Sequence, residues 1–194
     1  EYIVLAVPSA FLKNTLKNLT VSLENKVVFS AIKGIVPENN TIVGDFVHEH
    51  YSVPYENIGV LSGPCHAEEV ALERLSYLTI ACSDLTKAKL FASALEGRYI
   101  KTNVSDDTSG TEYSAVLKNV VALASGICHG LGYGDNFQAV LVSNAIREIK
   151  SFVDGVYPIK RDINESAYLG DLLVTAYSQS VSYTHLRAHE TSEN

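Results

Sequence analysis

The chain has 194 residues, 46% of them apolar and 19% charged, and carries a net charge of −7. That length can bury one sizeable core or two modest ones, and the composition excludes a coiled coil, a collagen-like chain and a disordered tail. The acidic balance argues against general nucleic-acid binding, and no run of 18 or more apolar residues exists to form a membrane-spanning helix. Three cysteines, Cys65, Cys82 and Cys128, fit neither a disulfide framework nor a zinc site, so no metal is expected and a reducing, cytoplasmic setting is the simplest reading.

The first hundred residues alternate between strand-like and helix-like runs. Residues 2–7 read as a strand, and Ser9 can cap a helix over 10–18 with Leu12, Leu16 and Leu19 on one face. Val27 to Ala31 is the next strand, and Thr41 to His50 a helix with Ile42, Val43, Phe46 and Val47 facing in. Ile58 to Leu61 is a short strand running into Ser62-Gly63-Pro64, followed by a short helix near 66–72. Leu78 to Cys82 is a strand, Ser83 or Asp84 caps a helix over 85–95, and residues 98–102 form one more strand. This alternation is the mark of a parallel sheet covered by helices. The chain contains no Met and opens directly on its first strand. A parallel strand needs neighbours on both sides, which suggests a missing upstream part of a larger protein.

Beyond residue 104 the strand signal ends. One long helix is expected from Thr108 to Leu131, a second from a cap at Asp135 or Asn136 to about Phe152, and a third over roughly 166–178. The chain is therefore divided at 105/106 into an α/β part and an all-helical part. The stretch from 181 to 194 lacks apolar periodicity.

Ligands of open α/β sheets sit at the carboxyl ends of the strands. Lys33, beside Gly34 after the second strand, could meet a phosphate or a substrate oxygen, or be a solvated surface lysine. Ser62-Gly63-Pro64-Cys65-His66 is a strand-to-helix turn whose glycine lets a ligand lie close to the backbone. Cys65 and His66 are adjacent but have no orienting third group, so a thiol nucleophile is not the expected reading. Gly130-Leu131-Gly132-Tyr133-Gly134 follows a helix rather than a strand and reads as a helix C-cap, not a dinucleotide fingerprint. Gly126 and Gly130, four apart, could admit a close helix. Lys118-Asn119 lies inside an apolar helical run, where the lysine either snorkels out or sits in a pocket that would lower its pKa and make it a usable base. Asp171, in Leu169-Gly170-Asp171-Leu172, is either a plain helix cap or another acid embedded in apolar sequence.

Taken together, Ile3 to Ser9, Lys33-Gly34, Leu61 to Pro64 with Ala67 and Glu68, Gly110-Thr111-Glu112, Leu117 to Val120, Gly130 to Asn136 and Leu169 to Leu172 resemble bacterial-type NAD(P)-dependent glycerol-3-phosphate dehydrogenase. The resemblance implies a Rossmann-type parallel sheet (here incomplete) followed by an all-α substrate domain of the kind found at the C-terminus of 6-phosphogluconate dehydrogenase. It implies interconversion of sn-glycerol 3-phosphate and dihydroxyacetone phosphate with NAD or NADP, feeding glycerophospholipid synthesis, in the cytoplasm and as a possible homodimer. By the resemblance, Lys118 is the proton acceptor. Lys33, Gly63, Cys65, Asn119 and Asp171 meet the substrate, and Lys33, Ala67 and Pro8 meet the cofactor.

Three departures accompany the resemblance. The family's opening strand and glycine-rich turn are absent, Cys65 stands where serine or threonine is common, and no arginine follows at 181–183. The isolated chain is therefore expected to be inactive, and residues 181–194 to be a foreign or disordered tail. Two rivals stay open: another two-domain hydroxyacid or phosphosugar dehydrogenase, and a structural module without chemistry.

Overall fold

The computed structural model describes residues 1–37 and 39–177. Five strands form one sheet in sequential order: β1 (Tyr2–Leu5), β2 (Val27–Ser30), β3 (Ile58–Ser62), β4 (Ser76–Cys82) and β5 (Ile100–Ser105). Between them run α1 (Ser9–Lys17), α2 (Val43–Tyr51), α3 (Ala67–Ala71) and α4 (Leu85–Leu95). The helical part consists of α5 (Thr108–Gly130), α6 (Asp135–Val156), a π-helical turn (Ser166–Gly170) and α7 (Asp171–Tyr177).

The expected architecture is present, with one correction: the sheet is not parallel throughout. β1, β2 and β3 run parallel, as do β4 and β5, but β3 and β4 are antiparallel, with Gly59 opposite Cys82 and Ser62 opposite Thr79. Connection length explains the reversal. The five-residue α3 is about 7.5 Å long, too short to carry the chain back for a parallel return. The eleven-residue α4 makes that return between β4 and β5.

The period-two alternation of β2 separates two cores. Val28 enters the layer under α1 and α2, with Leu5, Leu12, Leu16, Val43, Phe46 and Val47. Phe29 points to the other face, where it joins Ile80, Ala88 and Phe91 of β4 and α4, its ring centroid 4.3 Å from that of Phe91. Gly59 is required there, since a Cβ on it would fall 2.2 Å from the Phe29 ring. Leu19 lies past the end of α1 and is 41% exposed, so it does not extend the Leu12–Leu16 stripe as expected.

Several boundaries differ from the sequence expectation by a residue or two. Pro8 rather than Ser9 holds the N-cap position of α1, and Gly134 holds that of α6 with Asp135 its first residue. Asp84 caps α4 as expected, accepting the N–H groups of Thr86 and Lys87. The Gly130–Gly134 segment is a helix C-cap: Gly132 has φ +85°, and the Tyr133 N–H reaches the Cys128 carbonyl at 3.0 Å. No close helix packs at Gly126 or Gly130 among the described residues, because a Cβ at either would meet open space. Among the described residues no helix is long and apolar enough to cross a membrane.

The helical part packs Val142, Ala145, Ile149 and Val153 of α6 against Leu172 of α7 and against Leu117 and Val121 of α5. The inward face of α5 is unusually polar. It buries Thr111, Glu112, Ser114, Lys118 and Ser125, while Val120, Leu123 and Ile127 remain exposed. Glu112 ties the two parts together, both its oxygens accepting the Gly44 N–H near the start of α2, at 3.1 and 3.2 Å. The expected tail, residues 181–194, lies outside the described residues.

Candidate functional site

Lys118 does not snorkel. It projects from the middle of α5 toward the sheet and is only 6% exposed. Its Nζ lies 2.5 Å from Oδ1 of Asp171, the first residue of α7. Oδ2 of the same carboxylate takes Lys33 Nζ at 3.0 Å and the Ser62 hydroxyl at 3.0 Å. Asp171 is thus no plain helix cap: its carboxylate, on α7, joins a serine of β3, a lysine of α5 and a lysine from the segment after β2. Asn119, the next residue on α5, donates through Nδ2 to the backbone carbonyl of Lys33 at 2.8 Å, fixing the segment that follows β2.

The charges act on one another. Burial, then the charge of Lys33, lowers the Lys118 amine to about 8, against the pull of Asp171 in the other direction. Burial alone would raise the Asp171 carboxyl, but the two lysines outweigh it and hold it below the usual carboxylate range. Lys33 keeps about a third of its side chain in solvent, so it can meet an incoming anion while held.

The turn after β3 is built around Gly63, whose φ is +127° and whose hypothetical Cβ would stand 2.7 Å from the Tyr77 carbonyl. Pro64 lies against Gly170, 3.7 Å from the Cβ position of that glycine, and Thr79 and Ser166 share a hydroxyl hydrogen bond at 3.1 Å. The sheet therefore holds the π-helical turn that delivers Asp171, and such turns recur at functional sites. Cys65 is half-buried, and burial pushes its thiol up despite the Ser76 hydroxyl and the charge of Lys33. That describes a neutral thiol rather than a nucleophile.

Of the sequence-predicted residues, Lys118, Asp171, Lys33 and Asn119 meet directly, and Gly63 and Cys65 stand on the adjoining turn. Pro8 and Ala67 are exposed, at the starts of α1 and α3. Ser9 of α1 touches the segment after β2, since its Oγ lies 2.8 Å from where a Cβ of Gly34 would be. Sequence reasoning did not single out Ser62 as a partner of Asp171. It also missed a second buried network, in which Arg161 binds Asp107 at 2.7 Å through Nε and Tyr168 donates to the same carboxylate at 2.5 Å. The Asp107–Thr108 helix start was the only local sign of it. No group of three His, Cys, Asp or Glu side chains able to hold a metal occurs among the described residues.

An open, largely parallel sheet joined to a helical part, with a buried charge cluster between them at the carboxyl ends of β2 and β3, defines a two-domain protein of the Rossmann-type class. Two family profiles match: the N-terminus of NAD-dependent glycerol-3-phosphate dehydrogenase over residues 1–88, and its C-terminus over residues 107–187. Glycerol-3-phosphate dehydrogenase [NAD(P)+] of Exiguobacterium is 36% identical over 184 residues, covering 91% of this chain and 52% of the relative. That of Lysinibacillus sphaericus is 36% identical over 187 residues, covering 92% and 53%. Among solved structures, glycerol-3-phosphate dehydrogenase of Coxiella burnetii superposes with a TM-score of 0.81 at 26% identity, covering 92% of this chain and 54% of that one. D-mandelate dehydrogenase, at 17% identity and a TM-score of 0.59, shares the fold alone. The chain belongs to the NAD-dependent glycerol-3-phosphate dehydrogenase family, and it spans about half the length of the relatives it matches.

Proposed function

We propose that these residues are part of an oxidoreductase that interconverts sn-glycerol 3-phosphate and dihydroxyacetone phosphate with NAD or NADP, acting in the cytoplasm and feeding glycerophospholipid synthesis. The observation that carries the reading is the buried Lys118–Asp171–Lys33 cluster at the strand ends. Oxidation of a secondary alcohol needs a base for the hydroxyl proton, and an amine lowered to about 8 is neutral often enough near neutral pH to accept it. Lys118 Nζ takes that proton. Lys33 faces the phosphate and the cofactor, and Asp171 keeps the two ammonium groups from repelling one another out of the site. Gly63 and Cys65 line the substrate, and Asn119 both lines it and anchors Lys33.

Pro8 and Ala67 are exposed and so open to a dinucleotide, and Lys33, with about a third of its side chain in solvent, offers it one cation. When bound, the cofactor supplies the hydride acceptor. In domain terms, residues 1–105 are part of the cofactor-binding domain and 106–180 part of the helical substrate domain, with a homodimer as the assembly. The test is the oxidation of NADH and NADPH by the complete gene product, followed with dihydroxyacetone phosphate, unphosphorylated dihydroxyacetone and a 2-oxo acid as acceptors. Turnover with the phosphorylated ketone alone is expected. Faster turnover of the 2-oxo acid would overturn the reading.

A further inference from the structure

Ser62 ends β3 and is 1% exposed. Its position is fixed from several sides: it pairs with Thr79 across the β3–β4 ladder, and Gly63 after it holds a conformation few other residues adopt. Its hydroxyl donates to Oδ2 of Asp171, the oxygen that also takes Lys33, while Oδ1 is left to Lys118. A buried carboxylate has about four acceptor sites in all. The donors that reach it here decide how much of its charge faces each lysine.

We propose that Ser62 is a positioning residue for Lys118, acting through Asp171. The hydroxyl pins one carboxylate oxygen on the sheet side, so that only the other is turned to the Lys118 amine. Without that neutral donor the carboxylate draws more strongly on its two ammonium partners, and Lys118 holds its proton more tightly. The charged groups facing Lys118 are Lys33, from the segment after β2, and Asp171, from α7. Cys65, on the turn after β3, feels the same two charges but stays neutral because burial raises its thiol. The inference deepens the reading of Lys118 as a base and rests on it for its functional meaning, but the geometry concerns the amine whatever the reaction.

The experiment is trace acetylation of the 194-residue chain with acetic anhydride across a pH series. The modified fraction of Lys118 is read by mass spectrometry against the exposed lysines. Loss of a hydrogen bond to a charged group is expected to raise the Lys118 midpoint in Ser62→Ala by ~0.5–1 pH unit. Ser62→Thr keeps a hydroxyl and is expected to keep the wild-type midpoint. Thr79→Ala removes the Thr79–Ser166 bond but leaves the donors to Asp171 in place, and is expected to keep it too. An unchanged midpoint in folded Ser62→Ala overturns the proposal. So does an equal shift in all three variants, which would mean general loosening of the turn. If Ser62→Ala does not fold, Ser62→Cys, with its weaker donor, is expected to give part of the rise, and an unmoved midpoint there is equally fatal. The readout needs no turnover, so failure of the base reading in rate assays leaves this result separate.

Discussion

Lys118 and Asp171 meet at 2.5 Å with side chains only 7% and 3% exposed. Taking two charges out of water is costly, and a pair so deep is weak evidence for stability in itself. Replacing such a pair by well-packed apolar side chains is often neutral or stabilising, so stability alone does not account for a lysine there. What the pair provides is an amine held at a defined point, with its proton affinity lowered by burial and by Lys33 and partly restored by Asp171.

Replacing Lys118 by Ala in the complete gene product should therefore lower kcat far more than it raises KM. Loss of a general base costs roughly 10²–10⁴-fold. Steady-state rates with dihydroxyacetone phosphate provide the check, and a drop of less than about threefold would return Lys118 to a structural role.

Asp171→Asn leaves two lysines facing each other without a counter-charge. The expected loss at neutral pH is about 3–5 kcal/mol, the usual cost of breaking a buried pair from one side. The sign with pH is fixed by the folded carboxyl, which lies below its ordinary value. Its contribution is present above the unfolded carboxylate pKa and is lost as pH falls through the folded one. Urea unfolding should show the difference between wild type and Asp171→Asn shrinking on acidification. A difference that stays constant down to strongly acid pH would contradict the assignment.

Most of the elements were legible because their apolar spacing is unambiguous, as in Phe46 and Val47 of α2 or Leu12 and Leu16 of α1. The antiparallel junction of β3 and β4 was not, since β4 is buried on both faces near Ile80 and Ala81 and reads the same in either direction. Whether Lys118 was pocketed or snorkelling could not be read from the helix, because α5 is apolar on two sides and only packing shows that Val120, Leu123 and Ile127 are the exposed ones. Lys33, Ser62, Lys118 and Asp171 converge from positions as far apart as 138 residues. Local pattern has no access to such contacts. Local pattern marked Lys33, Lys118 and Asp171 one at a time, and only the family resemblance put those three in one pocket; neither marked Ser62 as a partner of Asp171.

Glu112 offers a test of the link between the two parts. Burial, opposed by the N–H groups of Gly44 and Val43, raises its carboxyl to about 7. A raised folded value means that the stabilising contribution is complete below the unfolded carboxyl pKa and is lost as pH rises through about 7. Glu112→Gln keeps an acceptor for Gly44 but cannot titrate. The wild-type chain should lose on the order of 2–3 kcal/mol relative to the variant between mildly acid and neutral pH. Parallel stability curves for the two proteins across that window would show that Glu112 does not titrate there.

The Arg161–Asp107 network should behave as one unit. Asp107 accepts Arg161 Nε at 2.7 Å, the Tyr168 hydroxyl at 2.5 Å and the Gly110 N–H at 2.9 Å. Arg161 also binds Asp154 near the end of α6 and donates to the Tyr157 carbonyl at 2.7 Å. Through Tyr168 the network reaches the π-helical turn, and so holds the start of α7 where Asp171 sits. Arg161→Met leaves the Asp107 carboxylate buried without its cation, and should cost about 3–5 kcal/mol. Asp107→Asn alone strands the guanidinium in the same way, although Asp154 still faces it, so its cost should be smaller. In the double variant neither charge is stranded, and the loss should fall short of the sum of the single losses by about 1–3 kcal/mol. A urea-unfolding cycle over the four proteins measures that difference directly. Additive losses would mean that the two side chains stabilise the chain independently, and that the contact does not hold the turn that delivers Asp171.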